Sequence, residues 1–179
     1  MLVLVLLTFM VLRERASAAS AAAAPAPRSE TALPDLSTMT PRERFDRLYN
    51  RVMSAAESGD TATVSRFGPM VVAAYGQLDT VDADVRYHAA VLQLHVQGNT
   101  AAALRLADSI LMATPGHLFG FLIRGTAAQL SGNAALLKRA RADFLKAWDR
   151  EMKATRPEYR DHQLMLDQFH AAASAAVGR

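Results

Sequence analysis

The sequence predicts an all-α fold: three helical hairpins in series, closed by a C-terminal capping helix. Two observations carry this. One junction recurs, as Ser58-Gly59-Asp60, Gln97-Gly98-Asn99 and Ser131-Gly132-Asn133, at intervals of 39 and 34 residues (59 to 98, 98 to 132). Glycine after a helix supplies the left-handed conformation other residues resist, and Asp or Asn beside it caps the next helix by accepting a free backbone N–H. Connections this short force antiparallel neighbours, and self-similarity at such a period marks a helical repeat. The second observation is the patterning between junctions. Apolar residues fall at three- and four-residue steps, and beyond the N-terminal run Val and Ile form no alternating stretch that would read as a strand.

Residues 1–15 form a hydrophobic N-terminal segment. Positions 2–12 are apolar apart from Thr8, under ~20 Å as a helix against a ~30 Å hydrocarbon core. A membrane anchor is the favoured reading. A cleaved signal fits the length and Ala16-Ser17-Ala18, but no Lys or Arg precedes the run and Arg13-Glu14-Arg15 follows it. A third reading is a longer transmembrane helix entered part-way. Residues 16–40, rich in alanine with Pro25, Pro27 and Pro34, read as a flexible linker. An anchor followed by such a spacer is expected to hold the repeat domain on the extracytoplasmic, periplasmic side; secreted and cytoplasmic-facing arrangements are the alternatives.

The repeat domain is 41–179. Thr40-Pro41-Arg42-Glu43 offers a capping box with proline at the first helical position. The helix after it carries Phe45, Leu48, Tyr49, Val52, Met53 and Ala56 on one stripe. The second helix is expected over 60–75, kinked or split at Gly68-Pro69, because proline removes a backbone bond. Further helices are expected over 83–97, 100–113, 117–130 and 133–155, with Pro157 ending the last. One continuous helix over 158–177, with His162, Leu166, Phe169, Ala173 and Ala176 inward, would cap the third hairpin.

The best-formed unit, 84–117, resembles a tetratricopeptide repeat. With Asp84 as the first position, Tyr87 falls on the family's large aromatic, Gln97-Gly98-Asn99 on its turn, Ala103 on its small residue and Pro115 on its closing proline. The likeness extends over about 45–155, with Phe121 and Gly125 at family positions in the third unit and Leu48 in the first. It implies a right-handed superhelix whose first helices line a concave groove. By family position the groove residues would be Asp46, Tyr49, Asn50 and Met53, then Val85, His88, Leu92 and His95, then Phe119, Leu122, Thr126 and Gln129. Of the residues with which the family clamps a peptide carboxy-terminus, only Asn50 has a match.

Several chemistries have no residues to carry them. There is no cysteine, which removes disulfides, thiolate metal sites and a cysteine nucleophile. G-x-S-x-G, phosphate-loop and dinucleotide motifs are absent, so no catalytic residue, cofactor or enzyme activity is expected. Net charge is +3, and the densest basic run, Lys138-Arg139-Ala140-Arg141, is followed by Asp143, Asp149 and Glu151; this reads as a solvated helix face, not a nucleic-acid surface. His88 and His95 share a helix face, as do His162 and His170, but two turns separate each pair by about 10 Å, too far to share one ion. No metal site is expected. The function expected is a non-catalytic, membrane-anchored protein–protein interaction module, an adaptor or assembly factor holding a peptide or partner protein in its groove. The alternative is a small-molecule or lipid-binding helical domain, or an accessory subunit of an envelope enzyme complex. No feature of the sequence sets the oligomeric state.

Overall fold

The computed structural model describes residues 37–177; the apolar N-terminal run and nearly all of the linker lie outside them. The described residues form eight helices: α1 (Pro41–Ser58), α2 (Thr61–Tyr75), α3 (Ala83–His95), α4 (Thr100–Ala113), α5 (Leu118–Leu130), α6 (Ala134–Lys153), α7 (Pro157–Asp161) and α8 (Gln163–Val177). They pack in adjacent pairs, α1 on α2, α3 on α4 and α5 on α6. Helix α3 also touches α1 and α5, so the first helices stand in a row, and α8 packs on α6 and α5.

The recurring junction has one geometry in all three copies. Gly59, Gly98 and Gly132 have φ of 76°, 63° and 68°, where an L side chain costs about 1–2 kcal/mol. The next residue caps: Asp60, Asn99 and Asn133 accept from the backbone N–H of Thr63, Ala102 and Leu136, each at 3.0 Å. The Thr40 capping box also forms, with the Thr40 N–H donating to Glu43 Oε2 at 2.9 Å and the Glu43 N–H donating to Thr40 Oγ1 at 3.3 Å.

Two expected elements differ. Helix α2 runs unbroken through Gly68-Pro69. The residue before proline normally resists helical geometry because its Cβ meets the ring, and glycine has no Cβ; the carbonyl that loses its donor belongs to exposed Ser65. The C-terminal helix, expected to be continuous, is divided at His162, whose φ and ψ of −115° and 17° leave the helical region. Neither glycine nor proline marks the place. Its inner stripe continues as Leu166, Phe169 and Ala173, all buried, but Ala176 is exposed.

The core has two parts that share α3. Val85 and Leu92 of α3 join Phe45, Leu48, Tyr49 and Val52 of α1 and Phe67, Val71 and Ala74 of α2. Tyr87, Ala90 and Leu94, also of α3, join α4 through α8. Each fully buried phenylalanine contributes about 1.5–3 kcal/mol of transfer free energy. Ala90, Ala103, Ala107 and Ala127 are fully buried and keep the helices close. At Gly125 the approach is closer still, since a Cβ there would collide with the Phe169 ring of α8.

Candidate functional site

The row of first helices carries the expected groove residues, and packing sorts them into two groups. Phe119 and Leu92 are 0% and 2% exposed, and Tyr49, Val85 and Leu122 are buried with them. Asn50, His95 and Gln129 are exposed, while Asp46, Met53, His88 and Thr126 are half-buried. Tyr49 stacks on His88 at 4.3 Å between ring centroids, and Tyr87 stacks on Phe119 at 4.4 Å. These aromatics therefore join the helices to one another and present little area outward. The surface available for contact is the remainder, mostly polar: Asn50, Met53, His95, Thr126 and Gln129.

The chain's own residues 156–162 explain part of that burial. Tyr159 meets Phe119 at 5.3 Å and His117 at 5.0 Å. Its hydroxyl accepts from the Leu118 N–H at 2.9 Å and donates to Glu151 Oε2 at 3.1 Å. Glu151, 4% exposed, also takes Arg156 Nε–H at 2.9 Å and Arg150 at 3.4 Å. Burial opposes its ionisation, but the bonds from Arg156, Tyr159 and Arg150 outweigh burial and hold its pKa below the usual glutamate value. His117 precedes α5, and its Nδ1 accepts from the Phe119 N–H at 3.3 Å. That leaves Nε2–H to donate to Glu158 Oε1 at 3.1 Å. Burial lowers the His117 pKa, so this neutral tautomer fits its surroundings.

His162, where α7 gives way to α8, reaches α3. Its Nε2–H donates to Asp84 Oδ1 at 3.0 Å, since an ionised carboxylate can only accept. His88 Nε2 lies 3.8 Å from the same oxygen. The other oxygen, Oδ2, takes Arg42 Nη2 at 2.9 Å, and Arg42 is paired as well with Asp46 and Asp82. Tyr87 and Phe119 wall the His162 ring at 4.7 and 5.2 Å. Burial works against the Asp84 charge, yet the His162 bond and the nearby His88, His162 and Arg42 charges win, and its pKa is lowered. Burial lowers the His88 pKa, against the pull of Asp84.

The sequence sets His88 and His95, and likewise His162 and His170, two turns apart on a helix, too far to share an ion. Instead His170 stacks on Trp148 at 4.2 Å, and His88 faces His162 at 5.1 Å. Sequence reasoning paired histidines within helices and passed over Asp84, four residues before His88 on the same face. That spacing was legible; the arrival of His162 was not.

Fold and site together define a class: an all-helical domain of adjacent hairpins, whose C-terminal segment returns to the row of first helices. Comparisons with protein-family models, curated proteins and solved structures return no match.

Proposed function

We propose that this domain is a non-catalytic protein-interaction module of the tetratricopeptide-like kind: a right-handed array of three hairpins that holds a peptide or partner protein on its first-helix face. Residues 1–15 serve as a membrane anchor and 16–40 as its spacer, with the domain on the extracytoplasmic side. The observation that carries the reading is the repeated junction, with the same left-handed glycine and the same Asx cap in all three hairpins. It folds each hairpin, and α3 in turn touches both α1 and α5. A second support is the shape of the surface. Two depressions of about 360 and 390 Å³ lie against the first hairpin, one lined by Met39, Glu43, Arg47 and Asn50, the other by Arg44, Met70 and Gln77 among others. Both open to solvent; an enclosed apolar chamber would instead have favoured a small-molecule role.

The test is position-specific photo-crosslinking of the full chain in its native membrane. A crosslinker at Asn50, His95 or Gln129 should give the same discrete adduct, and one at Lys138 or Arg139 on α6 should not. Adducts from α6 alone would refute the assignment of the face. These positions are preferable to His88, because truncating a ring stacked on Tyr49 would also disturb packing.

A further inference from the structure

We propose that Asp84, His88 and His162 form a binding site for a divalent transition-metal ion of the zinc type. One carboxylate oxygen of Asp84 and one nitrogen of each imidazole all lie within 4.8 Å of one another. A tetrahedral ion with bonds of about 2.0–2.1 Å needs donors about 3.3 Å apart. The His162–Asp84 and His88–Asp84 separations, 3.0 and 3.8 Å, straddle that value. Both measured nitrogens are Nε2 and both lie within 3.8 Å of one carboxylate oxygen, so with Nε2 deprotonated a small rotation of each ring would turn the three donors toward one ion between them. Two imidazoles with one carboxylate favour zinc, nickel, cobalt or copper over calcium or magnesium, which prefer oxygen.

The surroundings also suit a cation. Arg42 occupies Oδ2 and so orients Asp84 to offer only Oδ1. Three carboxylates, Asp46, Asp82 and Asp84, share that one guanidinium, which leaves the cluster net anionic. The side chains of His88 and His162 are each 17% exposed, leaving a solvent approach for a fourth ligand. One feature limits affinity. His88 Nδ1 is buried without a hydrogen-bond partner among the described residues, so the metal-bound tautomer would carry an N–H that they leave unpaired, where metal sites usually supply an acceptor. Affinity should be micromolar, weaker than that of a closed structural zinc site. Because Asp84 and His162 lie 78 positions apart, the ion would tie the C-terminal segment to α3.

The experiment uses the full chain, stripped with EDTA and dialysed, then titrated with zinc against a chromogenic chelator and, separately, with cobalt followed by visible absorption. One zinc per chain should bind with micromolar Kd. His88→Ala and His162→Ala should each weaken it at least about tenfold, and His95→Ala should leave it unchanged. Asp84→Asn keeps the side-chain shape and should abolish the cobalt bands; its circular dichroism without metal establishes that it is folded. No zinc bound by the wild type at ~100 µM, or equal binding by wild type and the three ligand variants, would overturn the proposal.

Discussion

Glu151 and Asp84 are carboxylates drawn out of solvent by the same stretch, 156–162, but with different company. Both oxygens of Glu151 accept from charged or hydroxyl donors, Arg150, Arg156 and Tyr159. That arrangement is closed: every partner is a hydrogen donor and none is a metal ligand at neutral pH. Asp84 has one oxygen held by Arg42 and the other shared by two imidazoles. A given imidazole nitrogen is a donor in one tautomer and a ligand in the other. The difference teaches where stability resides and where binding does. The Glu151 network staples the C-terminal segment to the third hairpin, and the Asp84 cluster retains a capacity the staple lacks.

The largest effect expected from this contrast is at Glu151. Glu151→Ala should cost about 3 kcal/mol, because it strands Arg156 and the Tyr159 hydroxyl beside a buried gap. Asp84→Asn without metal should cost less than about 1 kcal/mol, since Arg42 keeps Asp46 and Asp82 and is itself 40% exposed. Urea midpoints of the two variants compare them directly; equal losses would erase the distinction.

Tyr159→Phe should cost about 2 kcal/mol. It deletes one hydroxyl but leaves the buried Leu118 N–H without an acceptor. A loss within ~0.5 kcal/mol in chemical denaturation would mean that water replaces it.

The staple should also be visible in acid. Glu151 has a folded pKa below its unfolded value of about 4.3. Its contribution is therefore present above the unfolded value and is lost as pH falls through the folded one. Stability of the wild type should decline below about pH 4, and Glu151→Gln should show a shallower decline from a lower plateau. Parallel acid limbs would contradict this.

Gly98→Ala should cost about 1 kcal/mol through strain at φ 63° alone, because nothing lies within 4 Å of the added Cβ. A thermal melt that matches the parent would show that the turn relaxes elsewhere.

Legibility in the sequence follows the range of the interactions. The three junctions and the capping box are local, set by Gly, Asn, Asp and Thr within four residues of the groups they bond, and the structure has them where those residues stand. The division of the last helix at His162 has no local sign, since 162, 166, 169 and 173 keep an unbroken helical stripe. His162 leaves helical geometry where its ring bonds Asp84, far away in sequence. The same limit hid half of the first-helix face. Family position names Leu92, Phe119 and Leu122 as groove residues, but their burial depends on what other elements lie against them, and for Phe119 that includes Tyr159 and His162.

The most direct test of the difference between the two carboxylates is the zinc-dependent shift of the melting temperature, measured on the full chain as wild type, Glu151→Gln and His162→Ala. At zinc about 100-fold above Kd, the wild type should gain about 5–10 °C. Glu151→Gln should start lower and gain as much, while His162→Ala, which loses a ring packed on Tyr87 and Phe119, should also start lower but gain nothing. A zinc shift in His162→Ala equal to that of the wild type would contradict the account.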